Sequence, residues 1–504
     1  MSSPVSENLF TRFAAPAAHR DKVFLAPPGR AAITFAQAFD QAGRYAHVLT
    51  AHGAKKGDRV AVQVDKSAEN IFLYLACLRA GLVYLPLNTG YTASELRYFM
   101  GNAEPAIFVC APRDLDTLKG IFGGTVLTLG DDGKSGSLLE QAAGQSPDFA
   151  DAVLGADDLA SILYTSGTTG VSKGAMLTHG NLWSNAEVLR KEWRFTHEDV
   201  LLHALPIFHI HGLFVATNIC LAARASIILL PKFDIEEIFR GLPSATVMMG
   251  VPTFYVRMLA DPRLGKDTAG HMRLFVSGSA PLLAETHREW SVKTGQAILE
   301  RYGMTETNMN TSNPYEGQRK PGSVGFPLPG TDLRIADGDG KPLPQGEIGM
   351  IEVRGPNVFA GYWRMPDKTA TEFRKDGFFI TGDMGMIDPD GYVHIVGRAK
   401  DLIISGGFNV YPKEIESLID ELPGVTESAV IGLPHKDFGE GVTAVVVLNQ
   451  GAGLTQAGIQ AALKDKLAKF KQPKAVLFTD AFPRNALGKV QKNLLRDKYK
   501  DLYA

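Results

Sequence analysis

The chain has 504 residues, of which 45% are hydrophobic, and this length predicts at least two domains with large buried cores. Its 52 Lys and Arg residues nearly balance its 54 Asp and Glu residues, so a general nucleic-acid-binding protein, which needs a basic face, is not expected. Its 3 cysteines, Cys77, Cys110 and Cys220, form no CxxC pair, which argues against a disulfide scaffold or zinc knuckle and favours a reducing compartment.

The first part of the chain alternates short β-branched segments with helical patterns. The N-terminus lacks a basic stretch followed by an apolar run, so no secretory signal is predicted and a cytoplasmic protein is expected. VAVQV at 60–64 predicts a buried strand, and the apolar spacing of 70–81 predicts a helix that ends at Gly81. Further strands are predicted at VYLPL, AIFVC, SILYT, SIILL, ATVMMG and RLFVSG.

Two segments in this part are less regular. Residues 129–151 are rich in Gly, Asp and Ser and predict an exposed loop. The most lipid-like segment, 213–230, contains Asn218 and Arg224, so we interpret it as a core helix followed by a strand rather than a membrane span. Neither segment changes the expectation of a layered α/β protein with a mainly parallel sheet.

The residue pattern of the sequence changes near Thr331. From there, short β-strand patterns separated by Gly-Pro turns predict a β-rich subdomain at 331–397. Beyond it, helices at KEIESLIDEL and 455–469 and strands at SAVIGL, VTAVVVL and AVLFT predict a compact α+β unit. We therefore expect a large N-terminal domain, 1–397, and a small C-terminal domain, 398–504.

A loop rich in Gly, Ser and Thr follows the predicted strand SILYT. Its glycines permit tight turns, and its backbone N–H groups, hydroxyls and lysine suit a phosphate. The alternative is a flexible surface loop, but a linker has no reason to carry so many donors directly after a buried strand. The candidate phosphate-binding residues are Thr165, Ser166, Gly167, Thr168, Thr169, Gly170 and Lys173.

Two other motifs nearly fit this loop. A Walker A loop would need glycine and a hydroxyl residue where the chain has Ser172 and Gly174, so a P-loop NTPase is disfavoured. Residues 170–174 match the GxSxG of a hydrolase nucleophile elbow, but Ser172 lies well beyond the end of the strand at Thr165. Hydrolase chemistry is kept as an alternative, together with a non-catalytic binding module.

His209 and His211 alternate, so on a strand they would face one side, as a metal pair does. No third ligand follows at a useful spacing, and a zinc site is not expected.

Taken together, the motifs of the chain resemble the adenylate-forming superfamily, which includes acyl-CoA synthetases and peptide-synthetase adenylation domains. The loop is followed in the family's order by PIFHIHG, RYGMTET, FITGD, GRAKDLIISGG and PRNALGK, with Ser172 where members often have proline. GHMRLFVSGSAPLLAETHREW, ERYGMTETNMNTSNPY and GGFNVYPKEIES are most similar to malonyl-CoA synthetases. The resemblance implies an ATP-dependent ligase that forms an acyl-adenylate and transfers the acyl group to a thiol, with ATP, Mg²⁺ and CoA.

The resemblance also implies roles for individual residues in adenylation. Lys489 reaches the α-phosphate and the carboxylate oxygen, Thr305 bonds the α-phosphate, and Glu306 binds Mg²⁺. The alternative for Thr305 and Glu306, a helix cap with an acidic first turn, is compatible with both roles. The nucleotide is otherwise contacted by Tyr302, Gly278, Ser279, Glu300, Asp383 and Arg398.

On the acyl side, the resemblance makes His209 a residue that orients the carboxylate and His211 largely structural. Arg288 is implied to bind the distal carboxylate of malonate, assisted by Ser277 and Ser279, although helical spacing alone favours a solvent-facing Arg288. Ile210 stands where the similar malonyl-CoA synthetases tend to have threonine, and its effect on methylmalonate is left open.

The second half-reaction is implied to use another face of the C-terminal domain, swung about a hinge near Lys400. Gly406 and Gly407 are then expected to line the pantetheine tunnel, and lysines of 464–474 are possible partners of the CoA 3′-phosphate. A carrier protein remains an alternative acceptor, and another short mono- or dicarboxylate an alternative substrate. The context of Lys489 resembles acetylation sites of bacterial acyl-CoA synthetases, which implies a lysine acetyltransferase and deacetylase as partners.

Overall fold

The computed structural model describes residues 6–165, 172–484 and 489–503. Over these ranges the chain forms layered sheets and helices followed by a smaller α+β unit, which confirms the predicted fold class. Among the described helices, none has the length and apolar character needed to cross a membrane.

The first sheet is parallel except for its last strand, and it carries the predicted phosphate loop at one edge. The strand before the loop pairs in antiparallel fashion with the strand after it, Thr165 opposite Lys173. In spatial order the described strands are Thr125–Thr128, Ile107–Cys110, Arg59–Gln63, Val83–Pro86, Leu159–Thr165 and Lys173–Thr178.

A second, larger sheet supplies most of the other strand ends that form the site. Its central strands are parallel, and Ser277 lies in register with Glu300. In spatial order the described strands are Phe326–Pro327, Asn308–Ser312, Ile298–Met304, Leu274–Ser277, Val247–Gly250, Val200–His203, Ser226–Leu229, Val23–Ala26 and Ile33–Thr34.

Two smaller sheets follow along the chain. The first is antiparallel, with strands Asp332–Ala336, Gly349–Arg354, Phe379–Ile387 and Val393–Arg398. The second contains Phe408–Val410, Ile403–Ser405, Gly439–Leu448 and Val425–His435, with Ala475–Phe478 parallel to Gly439–Leu448. A short 3₁₀ turn, Ala399–Asp401, connects these sheets and contains Lys400, the predicted hinge.

Helices cover the sheets, and the apolar faces of both bury the core. The helix Ala68–Ala80 is wholly buried, begins at the cap Ser67 and ends at Gly81 in the left-handed conformation. All three cysteines are buried and unpaired, as small apolar residues. The other described α-helices are Leu9–Ala14, Phe35–Ala51, Ala93–Ala103, Leu115–Lys119, Ser137–Ala142, His179–Glu192, Asn218–Ala223, Ile235–Gly241, Pro252–Leu259, Lys266–Ala269, Ala284–Thr294, Pro366–Glu372, Pro412–Asp420, Gln456–Leu463 and Lys492–Tyr499.

Several sequence predictions need correction in detail. The segment 129–151 is not all exposed loop, because Ser137–Ala142 is helical and buries Leu138. The helix predicted over 455–469 ends at Leu463. His209 and His211 do not alternate on a strand, since a π-helical turn, His211–Thr217, begins at the second histidine. Thr305 and Glu306 lie between two paired strands and do not cap a helix.

A carboxylate buried in the C-terminal unit makes its stability depend on pH. Burial raises the pKa of Asp420 from 3.8 to about 6, although Lys413 and the Ser428 hydroxyl, which donates to Oδ1 at 2.7 Å, oppose the shift. Between these pH values the folded state binds more protons than the unfolded state, so stability falls as pH rises through the window.

Asp420→Asn is therefore expected to raise the free energy of unfolding at pH 7.5, by up to about 3 kcal/mol. The same variant should flatten the stability profile between pH 4 and 6. Calorimetric melting of both proteins across this range measures both effects. A variant less stable than the parent at pH 7.5 would contradict the interpretation.

Candidate active site

The site lies where strand ends from both large sheets meet the last strands of the antiparallel sheet. Thr165 ends one strand of the first sheet, and Ser277 ends one strand of the second. Asp383 and Arg398 are paired across adjacent strands of the antiparallel sheet. Ligands of open α/β sheets bind at such carboxyl strand ends, so the topology alone marks this region.

Asp383 is the centre of a buried polar cluster. Its Oδ2 accepts a hydrogen bond of 2.5 Å from the Tyr302 hydroxyl, and its Oδ1 lies 2.8 Å from Nε of Arg398. Both Tyr302 and Asp383 are buried. The remaining lone pairs of the carboxylate suit the two hydroxyls of a ribose, and the cluster fixes where that ribose would lie.

Glu306 occupies a second buried position beside the end of the phosphate loop. Its Oε1 accepts a hydrogen bond of 3.1 Å from the Tyr362 hydroxyl and lies 3.5 Å from Oγ1 of Thr165. Burial raises the pKa of Glu306. A cation there would favour the ionised carboxylate, and a hard oxygen ligand beside a phosphate loop suits Mg²⁺. Thr305, the preceding residue, is half-buried in the same turn.

Tyr362 links Glu306 to Lys173, a connection that the sequence did not reveal. The Tyr362 hydroxyl lies 2.6 Å from Glu372, and the Lys173 ammonium lies 3.2 Å from both Tyr362 Oη and Glu372 Oε1. The network therefore holds the lysine that follows the phosphate loop. The sequence Gly-Tyr-Trp at 361–363 lies outside the motifs that carry the family resemblance. Tyr362 and Glu372 were therefore not predicted as site residues.

His209 and His211 face the interior of the site as neutral rings. Burial is the main cause that lowers the pKa of His209 to about 3, and the positive charges of Lys489 and Arg301 add to it. Nδ1 of His211 lies 3.2 Å from the Ser279 hydroxyl. A neutral His209 can orient an anionic substrate by hydrogen bonding without attracting it by charge.

Lys489 is brought into the same cluster although it lies near the C-terminus. Protein atoms around its ammonium, and then the charge of Arg398, lower the pKa of Lys489, whereas the carboxylates of Asp383 and Glu306 oppose this. The residue as a whole keeps contact with solvent. Its charge therefore stands between the nucleotide side and the acyl side of the site.

Arg301 is a buried cation that sequence reasoning missed. Its side chain is 4% exposed, and Nε and Nη2 have no hydrogen-bond partner among the described residues. Burial lowers its pKa to about 9, so it is charged at neutral pH. Room for the guanidinium exists because residue 278 is glycine, where a Cβ would approach the guanidinium within 2.4 Å.

The surroundings of Arg301 point to an anionic ligand. Its charge lowers the pKa of His209, His211 and Lys489, so all three lie near it. The buried hydroxyl of Ser277 also has no partner within the described part of the chain. Unpaired buried charge is costly, and a carboxylate is the natural partner of a guanidinium. The signal was present in the Arg that precedes Tyr302 in the RYGMTET motif.

The structure leaves Arg288 outside this cluster. Its side chain is 50% exposed and lies 3.1 Å from Glu285, one turn away on the helix Ala284–Thr294. The buried residues of this helix include His287 and Trp290, and Arg288 faces solvent, as helical spacing alone favoured. Within the described contacts, nothing brings Arg288 to the acyl side of the site.

Other predicted residues are placed as follows. Ile210 is buried directly after His209. Glu300 is buried, with Oε1 at 3.1 Å from Nδ1 of His287. Gly406 and Gly407 lie on an exposed hairpin between the strands Ile403–Ser405 and Phe408–Val410. The predicted phosphate-loop residues Ser166, Gly167, Thr168, Thr169 and Gly170 lie outside the described residues.

Comparison of the sequence and the structure with known proteins identifies one enzyme family. The pattern of the AMP-binding enzyme family matches residues 12–363, and that of the AMP-binding enzyme C-terminal domain matches 414–489. The crystal structure of ATP-bound MatB from Rhodopseudomonas palustris is 62% identical, covers 99% of this chain and 100% of that one, and superposes with a TM-score of 0.97.

Two curated relatives cover most of the chain as well. Feruloyl-CoA synthase of an Amycolatopsis species is 35% identical, with 94% of this chain and 95% of the relative covered. Malonate–CoA ligase of Arabidopsis thaliana is 36% identical, with 88% and 78% covered.

Proposed function

The chain belongs to the AMP-binding enzyme family, and on that premise we propose that it converts malonate, ATP and CoA to malonyl-CoA, AMP and pyrophosphate. It is an ATP-dependent acid–thiol ligase, and it uses ATP, Mg²⁺ and CoA.

The observation that carries the choice of acid is the unpaired Arg301. A dicarboxylate placed with one carboxylate at Lys489 and His209 has its second carboxylate free to pair with Arg301 and the Ser277 hydroxyl. Malonate separates its carboxylates by one carbon, which suits an Arg301 charge close enough to lower the pKa of Lys489. The malonate–CoA ligase of Arabidopsis supports the same acid.

The first half-reaction joins two anions, so its barrier is mainly electrostatic. One carboxylate oxygen attacks the α-phosphorus of ATP, and the bond to the leaving pyrophosphate breaks. Lys489 stabilises charge at the α-phosphate, His209 orients the attacking carboxylate, and Asp383 with Tyr302 holds the ribose. Glu306 would hold Mg²⁺, which would neutralise phosphate charge.

The second half-reaction transfers the acyl group to sulfur. The CoA thiolate attacks the carbonyl carbon, and AMP leaves with the carboxylate oxygen. Lys489 lies in the cluster while Gly406 and Gly407 face solvent, which supports a C-terminal domain placed for adenylation. We propose that rotation near Lys400 brings the glycine hairpin to the acyl site for transfer.

Malonate is expected to exceed butyrate in kcat/KM by about 10³-fold or more, because a monocarboxylate leaves Arg301 buried and unpaired. Acetate tests the same point with a smaller acid, and succinate tests the spacing of the carboxylates. Pyrophosphate release with each acid provides the measurement. Equal specificity constants for malonate and butyrate would contradict the proposed acid and leave the acid–thiol ligase.

Some finer properties stay predictions. Acceptance of methylmalonate depends on the space that Ile210 leaves near the α-carbon. A ligase for another short mono- or dicarboxylate, or one that loads a carrier protein, remains the alternative. The domain limits of 1–397 and 398–504, acetylation of Lys489 and the cytoplasmic location also stay predictions.

A further inference from the structure

A short segment, 359–363, connects the turn that contains Glu306 to the strand Lys173–Thr178. The N–H of its first residue donates to the Glu306 carbonyl oxygen at 2.8 Å, and the N–H of its last residue donates at 2.8 Å to the carbonyl oxygen of the second residue of the strand. Tyr362, which lies between these two hydrogen bonds, is buried. Because both ends of the segment are fixed, the backbone sets where the Tyr362 hydroxyl lies relative to Glu306.

The Tyr362 hydroxyl has two carboxylates within hydrogen-bond reach. Its oxygen lies 3.1 Å from Oε1 of Glu306 and 2.6 Å from Oε2 of Glu372. It also accepts a hydrogen bond of 3.2 Å from the Lys173 ammonium. A hydroxyl has one proton to donate, so only one of the carboxylates receives it at a time. Rotation about the C–O bond moves this hydrogen bond from one carboxylate to the other while the ring stays in place.

The two carboxylates depend on this proton to different degrees. Two lysines already stabilise the charge of Glu372, with Lys368 at 2.7 Å and Lys173 at 3.2 Å. Glu306 is 5% exposed, and a buried carboxylate depends on its hydrogen-bond donors. The hydroxyl therefore stabilises Glu306 when no cation neutralises this carboxylate, and it turns to Glu372 when a cation does.

We propose that Tyr362 is a positioning residue for adenylation, which holds Glu306 for the cation of Mg²⁺·ATP and Lys173 for the phosphates. The inference rests on the proposed role of Glu306. A carboxylate that binds a metal is oriented by its own hydrogen bonds, and their loss lowers metal affinity by about 10- to 100-fold. Since the hydroxyl proton can turn to Glu372, the cation displaces neither the ring nor Lys173.

The alternative is that Tyr362 only fills the core. Two other buried tyrosines outside the proposed reaction steps, Tyr255 and Tyr392, donate to backbone carbonyl oxygens at 2.6 and 2.7 Å. The hydrogen bonds described for the Tyr362 hydroxyl all join it to charged side chains instead. Contact with the charged groups of the site, rather than burial, therefore distinguishes Tyr362.

Tyr362→Phe removes the hydroxyl and keeps the ring and its packing on Phe359. Calorimetric titration with ATP is done without an acid, so that no adenylate forms. The Kd of ATP should rise about 10-fold with excess Mg²⁺ and stay within about 3-fold in EDTA. Adenylation, followed by acid-dependent pyrophosphate exchange, should need a correspondingly higher Mg²⁺ concentration. Transfer from a supplied acyl-adenylate to CoA should be unchanged, because this step does not use the cation at Glu306.

Tyr392→Phe is the matched control. It also removes a buried hydroxyl from a ring that faces a lysine, since Lys320 lies 5.2 Å from the ring centroid. All of these values should be unchanged in it. Glu372→Gln should keep the effect of Mg²⁺ on the Kd of ATP, because the Tyr362 hydroxyl can still donate to Glu306.

A Kd of ATP that responds to Mg²⁺ in Tyr362→Phe as in the parent overturns the inference. So does an equal loss of adenylation and transfer, which would indicate a packing role alone. Loss of the Mg²⁺ effect in Glu372→Gln would also overturn it, because the charge and not the hydroxyl would then be responsible. Glu306→Ala separates the two proposals. If the Mg²⁺ effect survives in Glu306→Ala, the proposed role of Glu306 is wrong; if it is lost there but kept in Tyr362→Phe, only the positioning by Tyr362 is wrong.

Discussion

Replacement of Lys489 by alanine is expected to reduce formation of the acyl-adenylate by about 10³-fold, because no other described lysine shares its place between Asp383 and His209. Transfer from supplied malonyl-adenylate to CoA should stay within a few-fold of the parent rate. The charge of Lys489 is needed when two anions meet at the α-phosphate and not when a thiolate attacks a carbonyl. Pyrophosphate exchange and single-turnover thioester formation measure the two steps separately.

Lys498→Ala is the matched control for this experiment. Lys498 is an exposed lysine on the terminal helix Lys492–Tyr499, and its removal should affect neither half-reaction. If Lys489→Ala lowers both half-reactions equally while the protein stays folded, the two placements of the C-terminal domain are wrong for this enzyme.

Arg301→Met should separate substrate choice from catalysis. The specificity constant for malonate is expected to fall by 10² to 10³-fold, on the order of what a buried charge pair loses with one partner removed. The constant for butyrate should rise or stay level, since no unpaired cation then remains in the pocket. Steady-state kinetics with both acids give the ratio, which should approach one.

Arg301→Met should also not lower the melting temperature of the protein. Arg301 is buried without a partner in the described residues, so methionine of similar length should leave the melting temperature unchanged or raise it. Arg288→Ala is the control, because this exposed arginine pairs with Glu285 and should hardly affect malonate selection. Loss of malonate selection in Arg288→Ala but not in Arg301→Met would restore the original assignment of Arg288.

The contrast between the two arginines illustrates what sequence patterns can specify. Helical spacing alone favoured a solvent-facing Arg288, and the helix buries His287 and Trp290 instead. The family resemblance pointed the other way. Arg301 lies on a strand inside a motif, and its lack of partners depends on Gly278 and on strands distant in sequence. Such burial is a tertiary property and has no local signature.

Much of the architecture followed from local patterns. The buried strand–helix units, such as Arg59–Gln63 with Ala68–Ala80, were predicted because the apolar spacing and the terminal Gly81 agree. The turn of Thr305 and Glu306 was open to a helical interpretation because hydroxyl and acidic residues also cap helices. The link from Tyr362 to Lys173 joins residues 189 apart, beyond any periodic pattern.

Activation of the acid as an adenylate is tested most directly by isotope transfer. With malonate labelled by ¹⁸O in its carboxylates, ATP and CoA, one labelled oxygen should appear in each AMP and none in pyrophosphate, because the carboxylate oxygen attacks the α-phosphorus and leaves with AMP. Mass spectrometry of the separated products gives the answer in one reaction. AMP without label, or label in a phosphate released with ADP, would contradict the account.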